Sequence, residues 1–219
     1  MHELQLDQIT ANLLEMGRKV ELSMAGSLRS LCEGRRDIGR RVLAEDRDIR
    51  SLGGLLEAAV VGLLSTQQPV TAHVRFVLGA STISAKLVRV QSHVVDVAQA
   101  SLLLAPTDTA DPPAEVREMS GLIREMLGDL VGGLAFTDCR RCMSVIRNND
   151  VMEDLNRKSV RSLVGSLRQG PHRTDEMLKY IRVSRSLESA AHLAASMADD
   201  VMRMAESRVA GVRHDGAAA

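Results

Sequence analysis

The chain has 219 residues, of which 45% are hydrophobic and 26% charged, but its only aromatics are Phe76, Phe136 and Tyr180. Strands draw on aromatic and β-branched side chains, so this composition argues against a sandwich or barrel and for long helices. Its 28 basic and 28 acidic residues balance, which removes any bulk attraction to nucleic acid or to an anionic membrane.

Pro, Gly and polar breaks divide the chain into six helical segments. The first runs from about Leu4 to Cys32, with Leu6, Ile9, Leu13, Val20, Met24, Leu28 and Leu31 near helical spacing, and Glu33-Gly34 ends it. The second runs from about Asp37 to Leu64. Pro69 opens the third, which continues to about Leu104. The linker-like stretch Ala105–Pro113 follows, and its closing prolines before Glu115 mark a helix N-terminus.

A fourth helix is expected over about Pro113–Leu134. Thr137 or Asp138 caps a fifth that reaches about Arg168. After the Gly170-Pro171 break a sixth extends to about Gly211. The longest nearly apolar stretch, Leu55–Leu64, contains Glu57 and is about half the length a membrane span needs. The start, MHELQLDQIT, carries acids where a secretory signal carries basic residues. Three cysteines are an odd number for a disulfide framework. A cytoplasmic protein is the expectation.

Two segments have the clearest period. Phe76, Ala80, Ile83, Leu87, Val90, Val94, Val97, Ser101 and Leu104 step by three and four, and Tyr180, Val183, Leu187, Ala190, Ala194, Met197, Val201 and Met204 repeat that register. Such seams belong to bundles of helices crossing at shallow angles. Val42-Leu43 pairs with Val145-Ile146 at an offset of 103, and the offset falls to 100 after the second inter-helix turn. The expected fold is therefore all-α, two tandem three-helix bundles of antiparallel helices related by a pseudo-twofold repeat. They cover residues 1–106 and 112–212, with a frayed tail at 213–219.

The stretch Leu63–Arg75 resembles the PhoU family, in which one helix ends in a Gln-Gln-Pro-Val-like turn and the next opens on an Asp-Leu-Arg-like segment. Gln67, Gln68, Pro69, Val70 and Arg75 fit that pattern, while His73 stands at the usual acidic position. Val42–Ile49 looks like the family's second-helix motif, and the tandem repeat looks like its architecture. The resemblance implies a cytoplasmic, often dimeric, six-helix protein that restrains the phosphate-starvation response. It implies coupling of a phosphate ABC transporter ATPase to a sensor histidine kinase. It also implies metal clusters on acidic Glu/Asp-x-x-x-Asp motifs in the third helix of each bundle, with a further acid from the second.

Carried onto this chain, those positions fall on Val88, Ser92 and Arg50 in the first half. A cation needs carboxylate, imidazole or water ligands, so this set does not suit one, and His93 is the local remnant. In the second half the positions are Glu188, His192 and Glu153, with Asp150 and Asp154 nearby and Asp199 and Asp200 further along the sixth helix. Glu188 and His192 share one helix side. With Glu153 they are the candidate ligands for zinc, manganese, iron or magnesium, and a solvated acidic face with one hydrogen-bonded histidine is the alternative.

Other chemistry has little support. Cys139-Arg-Arg-Cys142 lacks a second pair for zinc and a βαβ context for redox work. No phosphate loop, no G-x-S-x-G and no Glu-x-x-His occurs, which argues against nucleotide hydrolases, serine hydrolases and oxygen-activating bundles. The expected protein is a non-enzymatic helical adaptor in phosphate regulation. The alternatives are an accessory of another ion or phosphate transporter, or a metal-binding bundle of other role.

Overall fold

The computed structural model is built from six helices: α1 (His2–Glu33), α2 (Arg36–Ser65), α3 (Thr71–Leu104), α4 (Ala114–Phe136), α5 (Cys139–Leu167) and α6 (Thr174–Asp215). It describes the backbone of residues 2–65, 71–104, 111–167 and 174–215, and no strand occurs among them. The α3 and α6 seams are buried throughout, apart from half-buried Leu104. Burial of this aliphatic stripe, at about 25 cal/mol per Å², drives the assembly.

Local chemistry explains the joints. Pro113 precedes the first turn of α4 with φ −49° and ψ 145°, the extended geometry that suits a residue before a helix. Thr137 ends α4 in the left-handed conformation, its backbone N–H donating to the carbonyl of Gly133. That leaves Asp138 as the cap of α5, where its carboxylate accepts from the backbone N–H of Arg140 at 2.9 Å. At the other end of the chain α6 continues to Asp215, past the expected stop at Gly211. The helix-forming segment around that single glycine outweighs it.

Helices α1, α2 and α3 pack on one another, as do α4, α5 and α6, and the halves join through α3–α6 and α1–α4. The α3–α6 contact is the most extensive in the molecule, and one continuous apolar core runs through both halves. The two long helices are antiparallel. Gly79 abuts Met204, Lys86 meets Ser196 and Asp200, Asp96 meets Arg182 and Lys179 donates to the carbonyl of Leu103. These contacts mirror about Gln91 and Ala191, both fully buried and separated by the repeat offset. A two-fold operation relating the halves requires such a centre.

The offset of 103 also holds for the first helices of each half. Leu13, Met16, Val20, Met24 and Leu28 of α1 correspond to Val116, Met119, Ile123, Leu127 and Val131 of α4, all buried. One crossing departs from this likeness. A Cβ on Gly39 of α2 would lie 2.5 Å from Ser30 Oγ of α1, and Ser30 is hydrogen-bonded at 2.7 Å to Ser101 of α3. At the corresponding crossing the roles are exchanged, since Gly133 of α4 makes room for Cys142 Sγ of α5 at 2.7 Å from its would-be Cβ. Each bundle needs one small partner here, and the two halves supply it from opposite helices.

Candidate functional site

The α2–α3 face of the first half brings its three motif positions together without acids. Arg50 Nε donates to Asp46 Oδ2 at 2.8 Å, one turn earlier on α2. Its Nη2 donates to Ser92 Oγ on α3 at 3.2 Å. Half-buried Val88 packs against the core one turn before Ser92. The guanidinium thus ties α2 to α3 by itself, and a metal ion would meet a fixed positive charge there.

In the second half the same i, i+4 pair on the middle helix has its polarity reversed, with Asn149 Nδ2 donating to Glu153 Oε1 at 3.0 Å. Glu153 and Glu188 are half-buried and His192 is exposed. Both glutamates act electrostatically on Arg157, whose guanidinium pairs with Asp154. Asp150 is exposed, and Asp199 and Asp200 are paired with Arg203. Among the described residues, no three of His, Cys, Asp and Glu stand close enough to share a metal ion. As arranged, Glu153, Glu188 and His192 do not converge on one point, and this donor set does not fit a resident cation.

That arrangement has a measurable consequence. Protein purified without chelator should carry well under one metal ion per chain by elemental analysis, and Glu188→Ala should leave that content unchanged. Near-stoichiometric metal that disappears with Glu188→Ala would establish a three-ligand centre and overturn this reading.

Gln67, Gln68, Pro69 and Val70, the turn residues of the sequence motif, lie outside the described residues, as does the side chain of His73. Arg75 is exposed on α3. His93 is half-buried at the α3–α6 junction with Nδ1 unpartnered, and burial holds its imidazole below the usual histidine range. In the C-x-x-C pair, Cys139 is exposed while Cys142 is buried. Burial pushes the Cys142 thiol up to about 11, the opposite of an activated thiolate.

Motif reasoning missed a concavity on this face. A groove of about 740 Å³ runs between α5 and α6 beside Glu188, floored by Val160, Val164 and Gly165 and flanked by Arg157, Arg161 and Arg185. Asn156, only 8% exposed, lines it with its Oδ1 unpartnered. Arg185 also borders a shallower depression, with Arg182, His93 and Asp96, on the side toward α3. The repeat offset held the signal. The positions equivalent to Arg157, Arg161 and Arg185 in the first half are Gly54, Ala58 and Ala85, so the arginines belong to one half alone.

The PhoU domain family matches this chain in two copies, over residues 13–101 and 116–201, with starts and ends separated by the repeat offsets of the fold. The phosphate-specific transport system accessory protein PhoU homolog of Pseudomonas putida is 23% identical over 215 residues, covering 97% of this chain and 82% of that protein. The Deinococcus radiodurans protein of the same description is 26% identical over 199 residues, covering 91% and 93%. The crystal structure of PhoU from Pseudomonas aeruginosa superposes with a TM-score of 0.90 at 21% identity, covering 94% of this chain and 99% of that one. The phosphate transport system regulatory protein PhoU from Streptococcus pneumoniae superposes at 0.84 and 19% identity, covering 93% and 96%. At these identities the superpositions establish the fold.

Proposed function

The chain belongs to the PhoU family, and from that premise we propose that it regulates phosphate uptake and phosphate-starvation signalling as a non-enzymatic adaptor. In this reading it joins a phosphate ABC transporter ATPase to a sensor histidine kinase on the cytoplasmic side, as a homodimer, and holds the starvation response down when phosphate is plentiful. The observation that carries the reading is the family match in both halves, which spans the whole fold. The site chemistry is consistent with it. Exposed, ion-paired side chains and open grooves are surfaces for partners rather than a closed pocket for catalysis. Among the described residues no helix is long and apolar enough to cross a membrane, so contact with a transporter would run through its soluble parts.

Deletion of the gene in a strain carrying a phosphate-starvation reporter tests the proposal. Expression of the reporter at high phosphate, restored to repression by the wild-type gene, is the expected outcome. A second reading, an accessory of a different ion or phosphate transporter, is favoured by one observation: Arg50, Val88 and Ser92 at the acidic motif positions of the first half. An unchanged starvation reporter together with impaired uptake of another ion would select it.

A further inference from the structure

The geometry points to the α5–α6 groove as the docking site for an acidic, amphipathic helix of a partner protein. Three features of this face converge on that chemistry. Val160 and Val164 are spaced i, i+4 on α5 and line the groove, so they form a short apolar ridge about 6 Å long, one helical turn. That is the period at which a guest helix presents its own apolar side chains in a helix-in-groove complex. Val164 is 37% exposed, so this ridge is not consumed by the protein's own core.

Arginine dominates the charge around the ridge, with Arg157, Arg161 and Arg185 against the single acid Glu188. Arg157 has Asp154 as its partner, but among the described residues Arg161 and Arg185 make no ion pair or hydrogen bond. Guanidinium groups flanking an apolar strip match carboxylates flanking an apolar strip, and Arg engages them bidentately. Glu188 is the one opposing charge in the lining, and among the described residues it forms no ion pair with Arg161 or Arg185, so both guanidiniums are open to an anion.

The fold does not demand these arginines. In a pseudo-symmetric molecule each half is a control for the other, and the same backbone positions in the first half accommodate Gly54, Ala58 and Ala85. A long flexible side chain has no packing reason to be added at three corresponding positions on one side only. Asn156 lines the groove but is nearly buried and its unpartnered Oδ1 is sealed from solvent, so the arginines and the valine ridge hold the guest. A small anion fits less well. The groove is open along its length, and a small-molecule site encloses most of its ligand.

The identity of the partner rests on the adaptor reading above, whereas the chemistry of the groove does not, and the test separates them. Full-length protein is titrated into a fluorescently labelled peptide of about three helical turns, with leucines spaced i, i+3 and i+4 and glutamates on the flanks. A second peptide replaces every glutamate by lysine. The acidic peptide should bind, Arg161→Ala/Arg185→Ala should weaken it by about tenfold or more, and the lysine peptide should bind at least tenfold more weakly than the acidic one. Circular dichroism should show the double variant as helical as wild type, because alanine already stands at both equivalent positions of the first half. No binding of the acidic peptide, equal binding by the double variant, or displacement of the peptide by millimolar inorganic phosphate would overturn the proposal, the last by assigning the groove to a small anion. These outcomes are independent of whether deletion derepresses the phosphate reporter.

Discussion

Gly39→Cys should destabilise the protein by about 2–3 kcal/mol, near the upper range of overpacking costs, measured by urea unfolding. Any Cβ at this position falls 2.5 Å from Ser30 Oγ and 3.2 Å from both Leu102 Cδ2 and Ser101 Oγ. Ser30 and Ser101 are each only 2% exposed and bonded to each other, so neither hydroxyl retreats without leaving a buried polar group unpaired. The better helix propensity of cysteine over glycine, a few tenths of a kcal/mol, offsets little of this. The second half dictates the rescue. Gly133 against Cys142 is the same crossing with the roles exchanged, so Ser30→Gly combined with Gly39→Cys should recover at least half of the loss, a coupling of about 1–2 kcal/mol. Equal stability of wild type and Gly39→Cys would show that the α1–α2 crossing has slack; additivity of the two substitutions would show that Ser30 is not what Gly39 accommodates.

Lys86→Met should cost about 2–3 kcal/mol, a lowering of the melting temperature by roughly 5–10 °C. The ammonium of Lys86 in α3 donates to Asp200 Oδ2 at 2.5 Å and to Ser196 Oγ at 2.7 Å, both on α6. The two charged side chains are only 19% and 10% exposed. Methionine keeps the aliphatic stem and removes the charge, which leaves the Asp200 carboxylate nearly buried with Arg203, whose side chain is 61% exposed, as its remaining ion-pair partner among the described residues. Breaking one member of such a pair costs more than the pair contributes. Lys86→Met with Asp200→Leu should therefore be closer to wild type than Lys86→Met alone. If both single and double variants unfold at the wild-type urea concentration, the α3–α6 joint does not depend on this pair. The repeat mates of Lys86 and Asp200 are Ser186 and Ala100, so the lock exists on one side of the pseudo-twofold centre only.

The parts of this fold visible in the sequence were those with a period. Phe76 to Ser101 and Tyr180 to Met204 are buried because a three-four stripe of aliphatic residues has one way to leave water. Breakers were nearly as legible: Glu33-Gly34 and Pro113 stand at observed helix ends. Thr137 and Asp138 were alternatives as caps, and backbone conformation decides between them, since Thr137 is committed to closing α4. Position in the motif paired Arg50 with Ser92, and these side chains are hydrogen-bonded. The Lys86–Asp200 pair was invisible because its members are 114 residues apart and neither interrupts a stripe. The exchanged glycines at 39 and 133 needed the packing of three helices, which no spacing encodes. The arginines of the α5–α6 groove were hidden for another reason: each looks like an ordinary solvated residue until the offset sets it against glycine or alanine in the other half.

Arg50 has a consequence beyond the geometry of α2 and α3. Where the family resemblance implies an ion drawn from the cell's pool, this half carries a positive charge that is synthesised with the chain and never dissociates. It cannot be starved by scarcity, stripped by a competing chelator or exchanged for a neighbouring element in the periodic table. The α2–α3 face should therefore keep one shape across every state of cellular metal nutrition.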